Sequence, residues 1–343
     1  MDLQKLEKIL KEQKQPPFRL KQILKAIYRE GASSFGGITV LPKNFRERLD
    51  QELKILPFES AVILESKDGS SAKTLLGLKG GGSIETVLMA PKPGSWSVCV
   101  SSQAGCPMGC RFCATGKMGF KRNLTAEEIV GQVLLWRQYL GSKHDIRKNN
   151  ISNVVYMGMG EPFLNWEAVS ESLKMLTDKN LFGLGSRSIS VSTSGIIEGI
   201  EKLATEFPQI NLAISLHFTD DHIRSQFMPV NQKNNLAALR GAIQKYLRKT
   251  NRQIFIEYIL LDKVNDSRFA ALLLADFVKS LGRLQLIHVN LIRYNVTSAD
   301  LQPSSATIAQ KFKQTLLASG IQATIRKSLG EEIQGACGQL AGQ

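Results

Sequence analysis

The spacing of apolar positions changes twice along the chain. Over residues 1–57 it is helical: Leu3, Leu6, Ile9 and Leu10 form one stripe, and Leu20, Ile23, Leu24 and Ile27 another. Pro16-Pro17 separates the two, and Gly36-Gly37 precedes a third predicted helix that starts near Pro42. In residues 58–95 the runs Ala61–Leu64, Thr74–Leu78 and Ile84–Met89 are strand-like. Turn signals at Asp68-Gly69 and Gly80-Gly81-Gly82 separate them, which predicts a small antiparallel sheet. From residue 96 short apolar runs alternate with amphipathic stretches. Strands are predicted at Ser97–Ser101, Val154–Met157, Ser188–Ser192, Asn211–Leu216, Ile254–Leu260, Leu286–Ile292 and, last and short, Ala323–Arg326. Helices are predicted between them, as at Ala126–Tyr139, Trp166–Asp178, Leu236–Lys249 and Ser267–Leu281. Strand–helix alternation implies βαβ units on a parallel sheet. Six units in about 240 residues suit an α/β barrel or partial barrel, with its site at the C-terminal ends of the strands. The expected organisation is a helical accessory domain (1–57), a β-hairpin or linker segment (58–95), and a barrel with a C-terminal segment (96–343). No internal repeat or low-complexity segment interrupts it.

Composition adds little until charge is counted. The chain has 343 residues, 43% hydrophobic and 22% charged, as a globular protein does. It contains no run of about 18 apolar residues, so no membrane span is expected. Its charged first residues lack the apolar stretch of a secretory signal, which makes the cytosol the expected compartment. Lys plus Arg is 44 against 30 Asp plus Glu, a net +14. That surplus points to a polyanionic partner such as nucleic acid, or else to a merely basic surface. Residues 1–57 hold twelve Lys/Arg and seven Asp/Glu, a basic module or a helical cap on the main domain. Residues 86–126 hold no acidic residue but include Lys92, Arg111, Lys117, Lys121 and Arg122, and Lys143, Arg147 and Lys148 add a basic loop. Such stretches suit phosphate contacts.

The candidate chemistry lies in five cysteines. Cys99, Cys106, Cys110 and Cys113 are close together, and Cys337 stands near the C-terminus. An odd number in a chain of this size is no disulfide framework, and metal binding or catalysis is the better expectation. Cys106, Cys110 and Cys113 form a C-x3-C-x2-C loop directly after the first barrel strand. Thiolates are soft ligands suited to an iron–sulfur cluster or to zinc. Three ligands on a [4Fe-4S] cluster leave one iron open to the amino group and carboxylate of S-adenosylmethionine. An electron from the cluster can then cleave the sulfonium to a 5′-deoxyadenosyl radical. The alternative is zinc, with Cys99 or one of His144, His217, His222 and His288 as fourth ligand. No second C-x2-C pair exists to complete it, and the histidines are distant in sequence.

Several segments together resemble the RlmN/Cfr family of radical S-adenosylmethionine RNA adenosine methyltransferases. They are Val98–Cys106, Met157–Pro162, Val191–Gly195, Ser215–His217, His288–Leu291 and Ala336–Leu340, in the family's order. The N-terminal helices resemble the family's accessory domain. The resemblance implies that Cys337 is methylated by one S-adenosylmethionine and that a second supplies the radical that activates the methyl group. It also implies that Cys99 resolves the RNA adduct by forming a disulfide with Cys337, and that Glu85 accepts the proton lost from the base. For Glu85, a solvent-facing strand residue is the competing reading. Gly160, Glu161, Ser192, Ser215, Leu216, His217 and Asn295 match cofactor-binding positions, with the Glu161 carboxylate pairing with the ammonium. The implied substrates are 23S rRNA at the peptidyl-transferase centre and the adenosine 3′ to the anticodon of tRNAs. A reducing electron donor such as a flavodoxin, no membrane and a monomeric state complete the expectation. Gly160-Glu161-Pro162 with Leu164-Asn165 is closer to RlmN-type members, which methylate carbon 2, and Ile292–Asn295 is closer to Cfr-type members, which methylate carbon 8. Ala26 stands where many members have an aromatic residue. The widespread housekeeping form is RlmN, which favours carbon 2. A non-catalytic, zinc-stabilised RNA-binding protein is the remaining alternative.

Overall fold

The computed structural model describes residues 1–92, 94–143 and 150–342. Arg147 and Lys148 of the predicted basic loop, and His144, a candidate zinc ligand, lie outside the described residues. The N-terminal module is helical, as its periodicity predicts. Leu3–Glu12 starts at Asp2, whose side chain accepts the Lys5 amide at 2.8 Å, and it buries the stripe Leu6, Ile9 and Leu10. Phe18–Leu24 runs on into a wider turn at Lys25–Arg29, and Lys43–Glu52 follows Pro42. The module packs on the barrel rather than hanging from it. The rings of Tyr28 and Phe182 meet tilted at 5.2 Å, Arg137 donates to the Tyr28 carbonyl, and Gln138 donates to that of Ala32 at 2.9 Å.

Ten strands form one continuous sheet. Three antiparallel strands come first: β1 (Phe58–Glu65), β2 (Ser71–Leu78) and β3 (Ser83–Lys92). β4 (Ser95–Cys99) pairs antiparallel with β3 and opens the barrel. A small separate hairpin, β5 (Gln103–Gly105) with β6 (Phe120–Asn123), was not visible in the apolar pattern. The remaining strands are β7 (Asn150–Tyr156), β8 (Ile189–Thr193), β9 (Asn211–Ser215), β10 (Ile254–Leu260), β11 (Ile287–Arg293) and β12 (Ala323–Ile325). Their order in the sheet is β1-β2-β3-β4-β7-β8-β9-β10-β11-β12, parallel from β4 onward. The barrel is therefore partial, as predicted. The segment from residue 58 to 95 is no linker, because its three strands extend the barrel sheet.

Helices cross between the parallel strands. Ala126–Lys143 begins with a capping box, in which the Glu128 amide donates to the Thr125 hydroxyl at 3.2 Å and the Thr125 amide to the Glu128 carboxylate at 3.0 Å. The parallel strands bury residues such as Val98, Val154, Val191, Ile214, Ile256 and Val289, the near-continuous apolar content that a two-sided parallel sheet needs. No helix among the described residues is long and apolar enough to cross a membrane.

Candidate active site

The loop carrying Cys106, Cys110 and Cys113 is pinched at its neck by β5 and β6. The Cys106 amide donates to the Gly119 carbonyl at 3.0 Å. Gly105, at φ +75, sits so close that a Cβ there would lie 1.9 Å from that carbonyl, which is why the neck needs glycine. Within the loop the Cys113 amide donates to Cys110 O at 3.1 Å, and the Arg111 amide reaches across to Phe227 O at 3.0 Å. Cys106 and Cys110 are buried, Cys113 is part-buried, and all three line one cavity. Burial pushes the Cys106 thiol up to about 12, that of Cys110 well above its usual value and that of Cys113 up; Cys113 raises Cys106 further, Cys113 and Cys106 raise Cys110, and Cys337 raises Cys113. Thiols so placed ionise when a metal takes them.

This donor set fits an iron–sulfur cluster. Three sulfurs on one loop face one cavity, yet among the described residues no three His, Cys, Asp or Glu side chains close around a single ion. A multi-iron cluster is broader than one ion and uses thiolates spread around it. A closed zinc site would need a fourth ligand at bonding distance. Cys99, a candidate for that role, lines a second cavity and not the first.

Strand ends complete the first cavity. Gly160, Glu161, Ser192, Ser215 and His217, expected from the sequence as cofactor positions, all line it. Gly160 has φ +98, and a Cβ there would stand 2.6 Å from Gln103 Cβ, so the backbone after β7 lies flush against the cluster hairpin. The Glu161 carboxylate is held by donors of the protein itself. It accepts from the Ser194 amide at 2.7 Å, the Ser194 hydroxyl at 2.8 Å and the Phe163 amide at 3.2 Å, tying the loop after β7 to that after β8. Burial raises its pKa, and these bonds oppose the shift. His217 follows β9 with φ 60, its Nδ1 accepting from the Ile259 amide at 3.1 Å. Its ring meets Phe112, of the cluster loop, edge-on at 5.0 Å. Burial and then the Arg224 charge hold its pKa near about 3, so the ring is neutral.

Two predicted cofactor positions fall elsewhere. Leu216 is fully buried in the core and lines neither cavity, because its strand-end turn points the side chain inward. Asn295 lines the second cavity, where its Nδ2 donates to Cys337 O at 3.0 Å and its Oδ1 accepts from Ser328 at 2.9 Å. Glu257 and Arg326 are among the unpredicted residues that line the first cavity. Glu257 accepts from Asn290 at 2.8 Å and pairs with Arg326 at 3.3 Å. A lone carboxylate within the apolar run of β10 was the signal that could have found it.

Cys337 is exposed and borders both cavities. The second cavity also holds Cys99, at the end of β4, so Cys337 stands between the cluster loop and Cys99. Burial pushes Cys99 up to about 12, and Cys337 is the next cause. Arg326 borders both cavities too, and the field of Cys337 holds its guanidinium the more firmly protonated. All five cysteines are free thiols. Glu85 is not solvent-facing: it is 1% exposed, pairs with Lys73 at 2.6 Å and lines neither cavity. Of the basic residues in the acid-free stretch, Arg122 is held by Glu128 through two 2.8 Å bonds, and Arg111 pairs with Asp300 at 3.2 Å. Lys121 is exposed.

Comparison with known proteins agrees with this geometry. Residues 100–275 match the model of the radical SAM superfamily, and residues 1–55 that of the ribosomal RNA large subunit methyltransferase N-terminal domain. The chain is 42% identical to "Probable dual-specificity RNA methyltransferase RlmN" of Syntrophomonas wolfei, over 99% of this chain and 95% of that protein. It is 40% identical to "Ribosomal RNA large subunit methyltransferase Cfr" of Clostridium botulinum, over 98% and 96%. The crystal structure of a radical SAM methyltransferase from Sphaerobacter thermophilus superposes with a TM-score of 0.91 at 40% identity, covering 100% of this chain and 98% of that one. With its C-x3-C-x2-C loop, its partial barrel and relatives matched along nearly their whole length, the chain belongs to the RlmN/Cfr family of radical S-adenosylmethionine RNA methyltransferases.

Proposed function

We propose that the protein methylates carbon 2 of an adenosine in 23S rRNA, and of the adenosine 3′ to the anticodon in tRNAs, through a methyl group carried on Cys337. The observation that carries this reading is the position of Cys337 on the wall shared by the two cavities. Cys106, Cys110 and Cys113 hold the cluster, and Gly160, Glu161, Ser192, Ser215 and His217 shape the adjoining wall for S-adenosylmethionine. Cluster and cofactor together supply a 5′-deoxyadenosyl radical when bound. Two molecules of S-adenosylmethionine serve each turnover, one for the methyl group and one for the radical. A neutral His217 places no cation against the sulfonium. Cys337 offers its sulfur to the first methyl group, and the carried carbon then bonds the base. The Cys99 thiolate attacks the Cys337 sulfur, the bond between that sulfur and the carried carbon breaks, the carbon stays on the base and takes up a proton to become its methyl group, and a Cys99–Cys337 disulfide remains for an external dithiol to reduce. Dividing the transfer suits the substrate, because the attacked carbon is not a nucleophile. An adenine inside folded RNA must first be unstacked, and the open barrel end receives it.

Carbon 2 rests on RlmN being the widespread housekeeping form of the family, with the RlmN-like Leu164-Asn165 beside it. Asn165 donates from one nitrogen to Ser102 O and Leu124 O, both at 2.8 Å, and so fixes the hairpin under the cluster loop. Carbon 8 is the second reading, favoured by Ile292 of the Cfr-like segment, which borders both cavities. Identification of the methyladenosine isomer in digested ribosomal RNA from cells expressing the chain separates the two. We expect 2-methyladenosine, and 8-methyladenosine alone would overturn the reading. Cys337→Ala should keep the cluster and stop turnover, whereas Cys99→Ala should accumulate a covalent protein–RNA adduct. A Cys99→Ala protein that turns over normally, without adduct, would exclude the two-cysteine route.

A further inference from the structure

The C-terminal stretch that carries Cys337 returns from β12 to the opposite end of the sheet. It is fastened there almost entirely through its backbone. Gly338 O accepts from the Ala114 amide at 2.8 Å, and Leu340 O accepts from the Thr115 hydroxyl at 2.6 Å, both donors lying directly after Cys113. Beyond them, one oxygen of Glu85 accepts from two successive amides, Ala341 at 2.7 Å and Gly342 at 3.0 Å. The other oxygen pairs with Lys73, a lysine itself only 6% exposed on the neighbouring strand β2. A buried carboxylate is costly unless paired and hydrogen-bonded, and here the lysine and the two amides do both. The Glu85 backbone is fixed as well, its carbonyl accepting from Ser101 at 2.6 Å.

From these contacts we infer that Glu85, held by Lys73, is a positioning residue that docks the C-terminal tail and so sets Cys337 against the cluster loop. The inference rests on the reading of Cys337 as methyl carrier. It assigns Glu85 a task while the tail is docked that is separate from accepting a proton. In that state both carboxylate oxygens are engaged and neither cavity touches them, so Glu85 reaches the base only after the tail has lifted. Recognition through two amides needs no particular tail side chain. Anchoring the segment four and five residues after Cys337 leaves the thiol itself unobstructed.

The test uses the reconstituted holoprotein and reads the tail directly. In Glu85→Gln and Lys73→Met, amide exchange in a peptide spanning residues 335–343 should quicken by about tenfold or more, with exchange elsewhere in the barrel and the iron content unchanged. Iodoacetamide should alkylate Cys337 at a changed rate in the same variants. A chain stopped after Leu340 keeps Glu85 and should reproduce that changed rate, and adding Glu85→Gln to it should change nothing further. If Glu85→Gln loses methyl transfer while its tail stays protected, Glu85 acts on the substrate and the docking role is wrong. Should Glu85→Gln not fold, the shortened chain decides alone, and an unaltered Cys337 alkylation rate there overturns the inference. Failure of the carrier reading would look different: Cys337→Ala would remain active while its tail stayed protected.

Discussion

At the scale of single residues, the site divides into side chains whose role is local and side chains whose role depends on remote partners. The cluster cysteines were legible because their spacing alone puts three sulfurs on one loop. Glu85 was not, since its partners include amides 256 and 257 positions away, and alternation on β3 says nothing of them. For Asn295 the sequence showed a polar residue just past a strand end, but not its bond to Cys337 O, 42 positions away. His217 supports a prediction about pH. Its folded pKa is held near about 3, below the ordinary value of 6.5, so the folded state resists protonation that the unfolded chain accepts. Its contribution is therefore intact above pH 6.5 and is lost as pH falls from 6.5 toward 3. Thermal melts across that window should show acid destabilisation that is shallower in His217→Asn than in the parent, and parallel curves would show that another group controls it.

At the scale of elements, the parallel strands were readable because each is a short apolar run bounded by turns. β10 was predicted with its observed bounds, and the others within a few residues. The β5–β6 hairpin escaped because strands of three and four residues, Gln103–Gly105 and Phe120–Asn123, are too short for any period to show. The segment β1–β3 was seen as strands, but its fusion with β4 was not, because pairing partners are set by the sheet and not by local pattern. The hairpin's support makes a second prediction. Asn165→Ala removes two donors and leaves the carbonyls of Ser102 and Leu124 buried without them. The cost should be about 1–3 kcal/mol in denaturant unfolding of the holoprotein. Cluster iron should be lost faster in the same variant. Stability within a few tenths of the parent would mean that water replaces the amide.

For the molecule as a whole, the net charge of +14 was the readable quantity, and its distribution was not. Arg122 belonged on paper to the RNA-facing stretch, but a bidentate pairing with Glu128 commits it to the capping box of the next helix. Lys121 beside it is exposed. Lys121→Ala should therefore weaken RNA binding uniformly across sequences and reduce the slope of log affinity against log salt by about one. Arg122→Ala should lower the melting temperature instead, and equal salt slopes for both variants would refute this division. The long span from Glu85 to Ala341 also has a consequence for timing. Chains fold from the N-terminus as they are made, and distant contacts form last. A nascent chain can thus complete the loop of Cys106, Cys110 and Cys113 and pair most of its sheet while Cys337 has yet to be translated. Until Cys337 has been made, the cluster loop stands complete without the sulfur proposed to carry the methyl group.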